Sequence, residues 1–195
     1  MSKKPDLHFS DGWTPAARQV HSRNSNRRPE GALVELIVIH NISLPPGDYG
    51  GGFIEALFTN QLDPHAHPYF QTLIGLQVSA HFLVRRTGEL LQFVSTEDRA
   101  WHAGQSRWCG RENCNDFSLG IELEGTDDDL YTDAQYDQLK GLIEALWCCS
   151  PSLSPEAIVG HCDIAPGRKT DPGPAFDWQR LAKDLGATLA RPGSK

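Results

Sequence analysis

The chain predicts an α/β fold, a mixed β-sheet flanked by α-helices. Short apolar, β-branched runs recur along it with helical patterns between them, and one pair of runs is close enough to form a hairpin. With 195 residues, 39% of them apolar, the chain can bury one sizeable core, so a single domain over residues 1–195 is expected.

Residues 1–31 are polar and carry Pro5, Pro15 and Pro29, which predicts an irregular N-terminal arm. Residues 33–39 form a continuous apolar run suited to a strand buried on both faces, ending at His40. Residues 42–52, ISLPPGDYGGG, are turn chemistry; a short helix over 53–62 follows, broken by DPHAHP. Residues 78–84 and 89–94 read as strands joined by Arg85, Arg86, Thr87 and Gly88, the last suited to positive φ.

A loop over 96–117, long enough to be functional, precedes a strand over 118–123 that leads to Glu122, Glu124 and Gly125. Thr132 and Gln135 are spaced as a capping box, and Tyr136, Leu139, Leu142, Ile143, Leu146 and Trp147 then recur at helical period. Ile158 and Val159 begin a last strand running into His161. Asp177 is placed to cap a C-terminal helix bearing Trp178, Leu181, Leu185 and Leu189.

Eighteen Lys and Arg stand against 25 Asp and Glu, a formal charge of −7, which argues against nucleic acid as a partner. The basic stretch at Arg18, Arg23, Arg27 and Arg28 reads as a solvated loop. No run approaches membrane-spanning length and the first residues lack an export core, so a cytoplasmic protein is expected, with its five cysteines reduced. Cys109 and Cys114 have the spacing of half a metal site, but no second pair stands at a suitable distance.

The segment from Gly160 to Gly173, GHCDIAPGRKTDPG, carries the densest chemistry. Taken singly, a histidine at a strand end is usually a hydrogen-bonded structural residue, and an aspartate before Pro172 a turn former. Together, His40 and His161 at strand ends and Asp171 in a loop make the donor set of an open tetrahedral zinc site. Two neutral imidazoles and one carboxylate leave Zn²⁺ a net charge of about +1 and a fourth position for water, whose pKa zinc lowers to about 7.

Glu122 and Glu124 lie on one face of their strand, so either suits the general base; a solvated carboxylate is the plain alternative for both. Lys169, two residues from Asp171, is placed to meet a developing oxyanion. His65 and His67 read as surface residues, His81 as a core residue, and His102 as lining a cleft without touching metal. Cys162 neighbours His161 on a strand, where adjacent side chains point to opposite faces, so the two cannot pair and Cys162 reads as buried. Neither a G-x-S-x-G elbow nor an H-E-x-x-H helix is present.

VIHNISLPPG, DPHAHPYF, VSAHFLVRRTGE, RAWHAG, CNDFSLGIELEGTD, YTDAQY and GHCDIAPGRKTDPGPAFDW resemble the zinc amidases of peptidoglycan, the family that includes the phage T7 lysozyme type and the peptidoglycan recognition proteins. The likeness extends from about Trp13 to Trp178 and is strongest to the cytoplasmic branch acting on 1,6-anhydro-muropeptides. It implies that family's mixed sheet, zinc on His40, His161 and Asp171, and catalytic assistance from Glu122, rather than Glu124, and Lys169. It also implies hydrolysis of the amide between anhydro-N-acetylmuramic acid and L-alanine during peptidoglycan recycling, with the anhydro-muropeptide as partner and neither membrane nor obligate protein partner. Where related amidases often use cysteine, Asp171 stands as third ligand. Gln77 and Asn113 occupy positions where close relatives carry arginines able to grip stem-peptide carboxylates, with Arg111 the nearest substitute. A metal-free recognition module of this fold is expected to lack one of the ligands.

Overall fold

The computed structural model describes residues 7–189. Its main sheet has six strands: β1 (Arg18–Gln19), β3 (Leu36–Ile42), β4 (Phe82–Val84), β5 (Leu90–Gln92), β9 (Ser118–Glu124) and β10 (Ile158–Gly160). Across the sheet they run β1-β5-β4-β9-β3-β10. Only the β4/β5 hairpin is antiparallel, turned at Gly88 with φ of 84°; the other neighbours are parallel, so the sheet is mixed as expected. Helix α1 (Phe53–Phe58) follows β3. Strand β2 (Ser25–Arg27) pairs with β6 (Asp98–Ala100), and β7 (Arg107–Trp108) with β8 (Arg111–Glu112). Helices α2 (Asp133–Cys149), α3 (His161–Ile164) and α4 (Trp178–Leu185) complete the order.

Strand side chains alternate, so each strand divides its residues between two layers. Ile37 and Ile39 of β3, Ile121 and Leu123 of β9, and Phe82 and Val84 of β4 pack under α2, whose Tyr136, Leu139, Leu142, Ile143 and Leu146 are buried against them. The Thr132–Gln135 capping box forms as predicted and starts that helix. The other face carries Leu36 and Val38 against Ala103, Phe117 and Val159, and Leu83 and Leu91 against Leu57 and Phe58 of α1. His40 and Glu122, even-numbered like Leu36 and Val38, fall on this second face.

Several boundaries differ from the sequence reading. Strand β3 starts three residues late and runs two past His40, because β9 stays paired with it as far as Ile42↔Glu124; Leu33 is exposed. Helix α1 stops at Phe58, where Asn60 takes a left-handed conformation (φ 60°). The arm is not wholly irregular, since β1 and β2 lie within it, too short to show alternation. Nor is Arg28 solvated. Its guanidinium donates to the carbonyls of Asn115 (3.1 Å), Asp116 (3.2 Å) and Ser118 (3.0 Å), staking the arm to the approach to β9. The 96–117 segment likewise contains β6, β7 and β8. Among the described residues, no helix is long and apolar enough to cross a membrane.

Glu124 belongs to the scaffold. Its carboxylate meets Arg85 Nη1 at 2.5 Å and accepts the N–H groups of Gly50 (2.8 Å) and Arg86 (3.1 Å), while Arg85 also pairs with Glu55 of α1 at 2.5 Å. This buried pair ties the glycine-rich 47–52 turn to the sheet.

His81 is fully buried, its Nδ1 accepting from Gly120 N–H (3.0 Å) and its Nε2 donating to Asp98 O (3.1 Å). Burial, reinforced by the charge of Arg28 and only partly opposed by the Asp98 bond, lowers its pKa to about 3. Between that value and the unfolded value near 6.5, the unfolded chain binds a proton that the folded chain refuses. Stability is therefore expected to be unaffected by this group above pH 6.5 and to fall below it, by up to about 1.4 kcal/mol per pH unit. Urea unfolding in chelator at pH 7.5 and 5.5 checks this: the midpoint drops at pH 5.5, and drops less in His81→Asn. Equal midpoints in the unsubstituted chain would contradict it.

Candidate metal centre and cleft

Parallel pairing of β3 with β9 sets His40 beside Glu122, and pairing of β10 with β3 returns the chain next to Ile39, so His161 emerges near His40. His161 does not end a strand. The Asp163 carboxylate accepts Gly160 N–H at 2.7 Å and starts the helical turn α3, on which Cys162 is half-buried rather than buried. The opposite-face argument separating Cys162 from His161 therefore does not apply.

The loop after α3 is held on three sides. Cys162 N–H donates to Asp171 O (3.0 Å), and Pro172 O accepts from Asn41 (3.1 Å) and from the Tyr131 hydroxyl (2.7 Å). Gly173 is required there, since a Cβ on it would lie 2.2 Å from the Asp127 backbone.

These elements bring His40, His161 and Asp171 together. His40 Nδ1 is 3.0 Å from His161 Nδ1 and 3.0 Å from Asp171 Oδ2, and His161 Nδ1 is 3.1 Å from the same oxygen. His161 Nε2 faces the carbonyl of Ala103, which only accepts, at 3.0 Å; Arg168 Nη2 is farther off at 3.4 Å and donates to that same carbonyl at 2.7 Å, so the ring proton is on Nε2 and Nδ1 presents a lone pair to the centre. Burial lowers the His40 pKa to about 4, helped by His161 and only partly opposed by Asp171, so His40 is neutral at pH 7.

The donor set fits zinc. With bonds of about 2.0–2.1 Å, the ligand atoms of a tetrahedral centre lie about 3.3 Å apart, close to the spacing here. The other candidates that hold metals well fail on different grounds: His65 is exposed, and His81 spends both ring nitrogens on backbone groups.

The centre opens into a cleft of ≈ 820 Å³ that Glu122, Lys169, Arg168, Gln77, Trp101 and Tyr69 help to line. Glu122 is buried, and its Oε2 has no hydrogen-bond partner. Burial first, then the charge of Asp171, raises its pKa well above the usual range, with Lys169 acting in the opposite sense. His102 also lines the cleft, 3.0 Å from His40 Nε2 and not among the three converging donors, as the sequence reading placed it. Asn113 lies instead beside a neighbouring depression with Arg107, and Arg111 is paired with Glu35 at 2.5 Å. Asn115 and Ser118 were not singled out in the sequence. Both are bonded to the 102–103 segment, and no spacing pattern advertises them.

Known proteins resemble the chain over most of its length. Residues 29–174 match the family model for N-acetylmuramoyl-L-alanine amidase. The 1,6-anhydro-N-acetylmuramyl-L-alanine amidase AmpD of Escherichia coli (strain K12) is 57% identical over 173 residues, covering 89% of this chain and 94% of that protein. A crystal structure of a selenomethionine AmpD derivative superposes with a TM-score of 0.89 at 53% identity, covering 92% of this chain and 99% of the other. The amidase AmiD from E. coli, solved with anhydro-N-acetylmuramic acid-L-Ala-D-γ-Glu-L-Lys as substrate, gives a TM-score of 0.59 at 31% identity, covering 86% and 64%. The chain belongs to the N-acetylmuramoyl-L-alanine amidase family and is an amidase of that class.

Proposed function

We propose that the chain is a zinc-dependent amidase of peptidoglycan recycling, cutting the amide between 1,6-anhydro-N-acetylmuramic acid and the L-alanine of the stem peptide in cytosolic muropeptides. The observation carrying the metal reading is the convergence of two imidazole Nδ1 atoms and one carboxylate oxygen within 3.0–3.1 Å. The substrate follows from relatives named for it at 49–57% identity and from one solved with such a molecule bound. Free cysteines, including exposed neighbours Cys148 and Cys149, suit a reducing compartment.

His40, His161 and Asp171 would hold the ion. Bound there, zinc supplies a Lewis acid that polarises the scissile carbonyl and acidifies water. Glu122, beside His40 in the sheet and open to the cleft, takes the proton of the attacking water and delivers it to the departing alanine nitrogen. A carboxyl whose pKa is raised by burial suits the first half of that exchange, because it takes up a proton more readily than an ordinary carboxylate. The Lys169 ammonium, at the cleft wall, stabilises the oxyanion as the carbonyl becomes tetrahedral. Tyr69, Leu73 and Leu76 form an apolar flank, while Arg168 supplies positive charge for an anionic stem peptide.

Mass spectrometry of anhydro-muramyl-tripeptide beside its non-anhydro counterpart tests the reading. Free tripeptide is expected from the anhydro substrate alone, lost on chelation and restored by zinc. Cleavage of both would make the chain a broader wall amidase, and cleavage indifferent to chelation would overturn the metal.

Glu122→Gln is expected to keep zinc stoichiometry at one per chain while lowering kcat on the order of 10²–10⁴-fold. A variant with normal kcat would remove Glu122 from the chemistry.

A further inference from the structure

Each histidine offers two ring nitrogens, and only one tautomer of His40 can bind a cation through Nδ1. The carbonyl oxygen of Cys114 accepts the hydroxyl of Ser118 at 2.6 Å. That uses the only proton Ser118 has, so toward His102 Nε2, 3.2 Å away, its oxygen is the acceptor and the ring nitrogen donates. The ring of His102 contacts a hydroxyl and an imidazole, neither of which offsets a charge, so it carries a single proton, on Nε2. Its Nδ1 is then a bare acceptor facing His40 Nε2 at 3.0 Å, and His40 must place its own proton there.

We propose that His102 is a positioning residue: anchored by Ser118, it accepts the Nε2–H of His40 and holds His40 in the tautomer whose Nδ1 lone pair faces His161 and Asp171. The role rests on the zinc reading given above. Ordering of the outer partner of a metal-binding imidazole typically changes affinity 10–100-fold.

The surroundings are shaped for that ring. Gly120 has no side chain where the imidazole lies, and a Cβ there would fall 2.4 Å from His102 Cγ, although the Gly120 backbone is not in the left-handed region. The side-chain oxygen of Asn115 accepts the N–H groups of both His102 (3.1 Å) and Ala103 (2.8 Å). Two consecutive residues are thereby fixed together. The His102 side chain serves His40, and the Ala103 carbonyl, 3.0 Å from His161 Nε2, serves His161.

Nitrogen-15 NMR of the histidine-labelled, zinc-free chain at pH 7.5 reads the tautomers directly. His40, His102 and His161 are all expected with the proton on Nε2; a proton on Nδ1 of His102 would overturn the proposal. Zinc affinity, measured by competition with a chromophoric chelator, is expected to fall 10–100-fold in Ser118→Ala, which removes one oxygen and leaves the fold intact. Gly120→Ala, which displaces the ring by a different route, is expected to lower it comparably. Zinc binding in Ser118→Ala within twofold of the unsubstituted chain would overturn the role of His102 alone. Failure of the unsubstituted chain to bind zinc would overturn the metal reading and this role with it.

Discussion

Two bare imidazole nitrogens and a carboxylate oxygen held 3.0–3.1 Å apart repel one another unless a cation lies among them, and the surrounding protein is organised to hold them there. The β3/β9 and β3/β10 registers bring His40 and His161 to one place. The bonds to Pro172 bring Asp171 in from the loop. The Ala103 carbonyl aims His161, and His102 aims His40. Such an arrangement is destabilising by itself, and the apolar layer beneath α2 is what offsets it, since each fully buried Leu or Ile there contributes about 1.5–3 kcal/mol.

The sheet separates these tasks. The face under α2 is almost wholly apolar and continuous through β3, β9 and β4. The face bearing His40 and Glu122 is interrupted by polar groups; His81, Ser118 and Glu124 are hydrogen-bonded within the scaffold, whereas the Glu122 Oε2 has no hydrogen-bond partner. That difference distinguishes Glu122 from Glu124, two residues apart on one strand. Glu124 is neutralised by Arg85 and saturated by backbone N–H groups, whereas Glu122 has an oxygen to spare and a proton affinity raised chiefly by its burial. One is committed to structure, and the other is free for a proton.

Much of this was legible in the sequence, and physical reasons mark where it was not. Strands such as 118–124 and the capped helix α2 announce themselves because burial enforces period two or period 3.6 on many successive residues. The two- and three-residue strands β1 and β2 do not, because nothing that short carries a period. His161 lies on a different element from the strand end the sequence suggested, since the Asp163 cap that starts α3 is one side chain in a run that otherwise reads as strand and loop. The choice between Glu122 and Glu124 could not be made from spacing, because it depends on Arg85, which comes from the distant β4/β5 turn. Ser118 and Asn115 were invisible for the same reason: their part is defined by the ring and backbone they touch, not by any pattern along the chain.

X-ray absorption at the zinc edge of the metal-loaded chain tests the central claim most directly. Two imidazole nitrogens with only light oxygen or nitrogen scatterers completing the shell, at about 2.0–2.1 Å, is the result predicted for His40, His161 and Asp171. A sulfur scatterer near 2.3 Å, drawing in Cys162 beside His161, would contradict it.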